Sequence, residues 1–129
     1  MFGWFKKKHE LTDKEFVEAE FRTHVRTVER SNAVQQMTFE IALAMIWKGF
    51  LGNFGSPAQF AKLARAEQME YLKKSVALFL RMEEDGFEAA LPQRMFNFYL
   101  AFLINGNTAF KNEAAAFLDR YARKGWERI

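Results

Sequence analysis

The sequence predicts an all-α fold, a single-domain bundle of four to five helices with a long N-terminal helix. Only two prolines and seven glycines occur among 129 residues, so long stretches contain no helix breaker. Apolar side chains recur at helical spacing within these stretches. The Asn105-Gly106 turn has no alternating strand pattern on either side. Short connections between such helices favour antiparallel neighbours, and hence a bundle.

The chain is predicted to consist of an N-terminal arm, residues 1–11, and one helical domain, residues 12–129. Thr12 as the N-cap, with Glu15 three residues later, forms a capping box in which each side chain bonds the other's backbone N–H. Ordered helix is therefore expected to begin there. A chain of this length fits one domain and can bury a sizeable core.

The arm, MFGWFKKKHE, combines three large apolar side chains with a cluster of positive charge. Phe2, Trp4 and Phe5 come directly before Lys6–Lys8. We expect this arm to fold onto its own bundle or onto a partner. The alternative is a foot in a membrane interface, a peripheral contact that would be weak and reversible because stable anchoring generally needs two strong signals.

The first helix is expected to run from Thr12 to about Lys48, continuous or kinked, because no glycine or proline intervenes. Ser31-Asn32 followed by Gln35 is a second capping pattern, so a break near residue 31 is the alternative. The first clear break is GFLGNFGSP, which begins at Gly49.

Three further helical segments are expected after this break. Ser56-Pro57 starts a helix that ends at Asp85-Gly86, and Pro92 restarts the chain in MFNFYLAFLI. That stretch is apolar on all sides, which predicts a helix in the middle of the bundle or one with a face on another chain. The last helix follows the turn at residues 105–108 and ends at Lys124-Gly125.

Aromatic content is the unusual feature of the composition. Phenylalanine occurs 15 times and aromatic residues make up 16% of the chain. Because monomers rarely expose large apolar patches, this surplus predicts a homodimer or a docked protein partner. Phe50 and Phe54, beside the glycine-rich break, are interaction candidates with Phe2, Trp4 and Phe5. The alternative is one aromatic-rich monomeric core.

The basic residues predict an alternative function. Arg22, Arg26 and Arg30 recur every four residues and form a column on the first helix. With the basic last helix, this column could bind an anionic surface, either nucleic acid or lipid headgroups. The net charge of +3 is small for a dedicated nucleic-acid domain. A solvated face with pairs inside the chain is the simpler interpretation of the column.

Candidate chemistry is sparse, so an enzyme is the weaker interpretation and no cofactor is expected. His24 lies on a largely apolar stripe with Glu20 one turn earlier. Two ligands do not complete a metal site, and the Glu-x-x-His spacing of bundle di-iron sites is missing from the sequence. We therefore expect a hydrogen-bonded histidine and no metal. A ligand- or metal-binding bundle centred on His24 is the second alternative.

The sequence predicts a cytoplasmic protein with no transmembrane segment. It contains no cysteine, and the apolar-then-basic order of the arm reverses that of a secretory signal. No run approaches 18 apolar residues. The leading hypothesis is a small non-enzymatic helical protein that acts through protein–protein interaction as a homodimer.

Overall fold

A computed structural model describes residues 13–129, so the predicted arm and Thr12 lie outside the described residues. Within this range the backbone consists of helices and short connections, with no strand. The all-α prediction is confirmed. The helices are α1 (Asp13–Glu29), α2 (Ala33–Phe54), α3 (Pro57–Ala61), α4 (Arg65–Met82), α5 (Phe87–Ile104) and α6 (Thr108–Arg128), with a 3-10 turn at Glu83–Asp85.

The chain breaks between α1 and α2, so the expected continuous helix to Lys48 is wrong. Asn32 is the N-cap of α2. Its side chain accepts a hydrogen bond from the Gln35 backbone N–H at 2.8 Å, and Gln35 Oε1 accepts from the Asn32 N–H at 3.0 Å. This capping box satisfies two backbone donors, which favours a new helix start even without glycine or proline. The alternative break near residue 31 is the one observed.

α2 continues through the glycine-rich stretch, so the predicted break at Gly49 is wrong. Gly49 and Gly52 both lie inside the helix. A helical glycine costs only about 1 kcal/mol relative to alanine, which the tertiary packing of α2 outweighs. The helix stops at Gly55, whose φ of 85° is a left-handed conformation that favours glycine. The predicted start at Ser56-Pro57 is confirmed, with Ser56 as N-cap.

The expected helix from residue 57 to Asp85 divides into α3, α4 and the 3-10 turn. Pro92 lies inside α5 and does not start it, which corrects the sequence prediction. Gly86, with a φ of 115°, precedes the first residue of the helix. Proline at position 92 removes the N–H that would bond the carbonyl of Glu88, and its ring crowds that carbonyl, but its own φ is compatible with a helix.

α6 also extends beyond its predicted end. The turn at residues 105–107 is confirmed, and the Asn107 side chain accepts a hydrogen bond from the Phe110 N–H at 3.4 Å. The predicted stop at Lys124-Gly125 is wrong because the helix runs on to Arg128. Gly125 is buried where α6 crosses α2.

α5 is the central helix, as its apolar circumference predicted. It packs against α1, α2, α4 and α6. Trp47 of α2 contacts the rings of Phe96 and Tyr99, while Phe21 of α1 contacts Phe98 and Phe102. No helix among residues 13–129 is both long enough and apolar enough to cross a membrane.

Candidate interaction site

A row of apolar side chains on α2 is exposed along one face of the helix. Val34, Met37, Ile41 and Met45 follow one another at spacings of three and four residues, which places them on one face. Val34 is 67% exposed, Met37 37% and Met45 64%, while Ile41 is partly buried. We name these four residues the α2 stripe. The other faces of α2 pack on α5 and α6, so this apolar helix is only partly covered by its own chain.

The α2 stripe ends at a cation beside an exposed ring. Lys48 follows Met45 by three residues, and its Nζ lies 4.5 Å from the centroid of the Trp126 ring. Trp126 itself is 44% exposed. The apolar surface of α2 is thereby extended by the C-terminal part of α6.

A groove adjoins the other end of the stripe and shares Val34 with it. It has a volume of about 690 Å³ and lies between the end of α1, the first half of α2 and the start of α5. Its apolar residues include Val28, Phe39 and Leu91, all buried, beside the exposed Val34. We name it the Val34 groove. Its complete lining is Thr27, Val28, Arg30, Ser31, Val34, Gln35, Thr38, Phe39, Asp85, Glu88, Ala89 and Leu91.

The α5 side of the Val34 groove is acidic. Asp85 and Glu88 both line it and are exposed, and Glu83 and Glu84 precede them in the 3-10 turn. The Gln35 side-chain amide donates to Glu88 Oε1 at 2.6 Å, which links α2 to α5 at this edge. The groove therefore offers an apolar lining with several carboxylates at one side, a surface that complements an apolar and basic segment.

His24 lies one turn before Val28 and joins α1 to α5 through Arg94. The Arg94 Nε–H donates to His24 Nε2 at 3.0 Å, and Glu20 Oε2 lies 3.5 Å from both His24 Nε2 and Arg94 Nη2. The imidazole also contacts the rings of Phe87 and Phe98. The structure contains the predicted hydrogen-bonded histidine, although His24 is buried where partial burial was expected, and Glu20 is beside it as its spacing implied.

This environment holds His24 neutral. Burial lowers its pKa below the usual value of 6.5, and the positive charge of Arg94 lowers it further, whereas Glu20 raises it. The bond from Arg94 requires a lone pair on Nε2, which assigns the proton to Nδ1. A guanidinium beside Nε2 repels a metal ion at that nitrogen. Residues 13–129 contain no cluster of three potential metal ligands.

The three arginines of the predicted column lie in three different environments. The guanidinium of Arg22 lies 4.8 Å from the centroid of the Phe110 ring. Arg26 donates to Thr23 Oγ1 at 3.5 Å, and Arg30 lines the Val34 groove. All three arginines are exposed.

The basic residues of α6 are largely engaged with neighbours in the chain. Arg128 Nε lies 2.8 Å from Glu40 Oε1, and Arg123 Nε lies 2.9 Å from Asp119 Oδ2. Arg120 and Lys124 both contact the ring of Tyr121. The carboxylates of Glu40 and Asp119 therefore partly neutralise Arg128 and Arg123. The cationic groups of Arg120 and Lys124 lie against an aromatic ring of the same chain.

The aromatic interaction candidates differ in position. Phe50 is fully buried against the rings of Phe60 and Phe96, so its role as a surface candidate is corrected: it belongs to the core. Phe54 is partly buried and packs on Tyr71 at a centroid distance of 4.8 Å. Phe2, Trp4 and Phe5 lie outside the described residues.

Sequence reasoning missed the α2 stripe and the groove. The spacing of Val34, Met37, Ile41 and Met45 was visible, but which face of α2 the bundle covers depends on the packing of α5 and α6. The capping pattern at Asn32 was the signal for the turn that forms the groove. Comparisons with protein-family models, curated proteins and solved structures found no match to this chain.

Proposed function

We propose that the protein is a non-enzymatic, cytoplasmic helical protein that acts through protein–protein interaction as a homodimer, with the α2 stripe at the interface. One observation carries this proposal. α2 is predominantly apolar and has no continuous polar face, yet Val34, Met37 and Met45 remain exposed. An apolar helix face is stable in water when another surface covers it. We therefore expect the α2 stripe to pack against a second surface.

A second copy of the chain is the occupant that this face favours. Residues spaced by three and four along α2 form a ridge that can pack against the same ridge of another α2 around a twofold axis. Met37 and Met45 are unbranched and adapt to a facing surface of similar shape. The exposed Trp126, at the end of the stripe, adds an aromatic anchor of the kind enriched at interfaces.

The aromatic surplus of the chain does not by itself support a dimer. Phe50, Phe96, Tyr99 and Phe102 are all buried within one chain. Aromatic content alone is thus explained by the core of the bundle. The proposal rests instead on the uncovered face of α2.

Light scattering of purified variants tests the proposal. Met45→Glu places a charge in the stripe, and Leu80→Glu places one at a similarly exposed site on α4, where Leu80 is 56% exposed. We expect the parent chain and Leu80→Glu to be dimers and Met45→Glu to be a monomer with unchanged helical content. A monomeric parent chain at high micromolar concentration, or equal behaviour of both variants, would refute the proposal.

Binding to an anionic surface, nucleic acid or lipid headgroups, is the second candidate. It is supported by the exposure of Arg22, Arg26 and Arg30 along α1. The expected signature is binding to phosphate-rich polymers or anionic vesicles that weakens steeply with salt. Arg26→Gln should reduce that binding, with Arg123→Gln as a control because Arg123 is already paired with Asp119. Lack of retention on heparin at low salt would eliminate this candidate.

A further inference from the structure

We infer that the N-terminal arm of one chain binds in the Val34 groove of the second copy, so that the two arms are exchanged across the homodimer. This inference rests on the proposed function. It identifies the occupant of the groove as residues 1–8, MFGWFKKK. Side-chain chemistry, charge and the length of chain between the arm and the groove support this assignment.

Side-chain chemistry matches the arm to the groove. The groove, about 690 Å³ in volume, has Val28, Phe39 and Leu91 in its lining and Val34 exposed at its side. A volume of several hundred Å³ accommodates one or two aromatic side chains. Phe2, Trp4 and Phe5 supply such side chains within four positions of the sequence.

The charges also match. Lys6, Lys7 and Lys8 follow the three aromatic residues directly, whereas Asp85 and Glu88 line one side of the groove. The lining also contains one cation, Arg30, which the two carboxylates outnumber, and Glu83 and Glu84 precede Asp85 in the 3-10 turn. Aromatic rings in the groove would leave the lysines beside these carboxylates, which favours one orientation of the arm.

Chain length favours the second copy over the arm's own groove. The helical rise of about 1.5 Å per residue puts Thr27, at the groove, about 21 Å from Asp13 along α1. An extended chain from Phe5 to Asp13 reaches at most about 26–29 Å, so within one chain the arm would have to reverse and run almost straight. An arm from a second copy need not reverse along its own α1.

The area is sufficient for a stable contact. An aromatic side chain buries about 150–250 Å², so one or two rings in each of the two grooves would bury roughly 300–1,000 Å². Specific protein interfaces begin at about 1,200 Å² of total buried surface. Together with the α2 stripe, the arms bring the interface into that range.

Disulfide trapping tests the inference, because the natural chain contains no cysteine. A chain carrying Gly3→Cys would be mixed with a size-tagged chain carrying Ala89→Cys. Ala89 is chosen because it lines the groove and is exposed. The control partner is Ala116→Cys, exposed on α6. After mild oxidation, we expect the mixed disulfide with Ala89→Cys to exceed that with Ala116→Cys by about tenfold or more. Asp85→Lys in the Ala89→Cys chain, which changes the groove outside the α2 stripe, should reduce the excess.

Three results would overturn the inference. Equal trapping at both positions would show that the groove is not the arm's site. A chain carrying both Gly3→Cys and Ala89→Cys that closes only on itself would place the arm in its own groove. A dimer by light scattering that shows no trapping would reject the exchanged arm while leaving the proposed homodimer intact, so the two failures are distinguishable.

Discussion

Gly125 of α6 lies directly over the backbone carbonyl of Glu40 in α2. A Cβ atom at position 125 would overlap the Glu40 carbonyl oxygen and lie 2.8 Å from the Cβ of Ala44. Such distances are far inside van der Waals contact, so only glycine permits this approach of the two helices. The crossing fixes how α6 covers one side of α2 and, by exclusion, which face of α2 is left for the α2 stripe.

Gly125→Ala is expected to destabilise the protein, although alanine is the better helix former. The clash is with backbone atoms, so the helices must separate, at a cost of about 1–3 kcal/mol or more. Gly49→Ala is the matched control, because nothing lies within 4 Å of a Cβ at this helical position. It should stabilise by roughly 0.5–1 kcal/mol. Urea unfolding measures both, and equal stability of the two variants would contradict the crossing.

Arg128 is expected to matter more than the other paired arginine of α6. Glu40 is nearly buried, with 3% of its side chain exposed, and Arg128 Nε lies 2.8 Å from its carboxylate. Arg128→Met would leave that carboxylate without its partner, at a cost of about 1–3 kcal/mol. Arg123→Met removes an exposed pair with Asp119 and should cost less than about 1 kcal/mol. Indistinguishable unfolding free energies would argue against the buried pair.

Stability is expected to decrease on mild acidification because of His24. The pKa of His24 is lowered by burial and by Arg94, so the unfolded chain binds a proton before the folded one does. Stability is therefore highest above pH 6.5, falls as the pH drops below it, and levels off below the lowered folded pKa.

Unfolding midpoints at pH 7.5 and 5.5 measure this effect. His24→Gln keeps an acceptor for Arg94 but cannot be protonated, so its loss of stability over this interval should be smaller. His9→Gln changes the only other histidine and should behave as the parent chain does. The same loss in the parent chain and in His24→Gln would mean that another group is responsible.

The helical class of the fold and its central helix were predictable from the sequence because they depend on local pattern. The apolar circumference of α5 predicted either a central helix or one with a face on another chain, and the helix is central and buried. Element ends were predicted less well where tertiary packing competes with propensity. Gly49 and Gly125 look like helix stops but lie inside long, well-packed helices, and Pro92 is accommodated inside α5.

The candidate site was predictable only in part. Glu20 and His24 are neighbours on one helix, so their contact follows from spacing, whereas Arg94 comes from α5 and could not be foreseen. The α2 stripe required knowing which faces of α2 the bundle covers. Phe50 was predicted to be a surface interaction residue because it was placed beside a loop. It lies in a helix and is fully buried.

The central claim is that two copies associate through the α2 stripe, and sedimentation velocity with charge-complementary chains tests it most directly. One chain carries Met37→Glu and Met45→Glu, the other Met37→Lys and Met45→Lys. Like charges should keep each variant a monomer of about 15 kDa, the mass of one chain. Because opposite charges attract across the stripe, an equimolar mixture should sediment as a dimer of about twice that mass. A mixture that remains monomeric, while the parent chain is also monomeric at high micromolar concentration, would contradict the account.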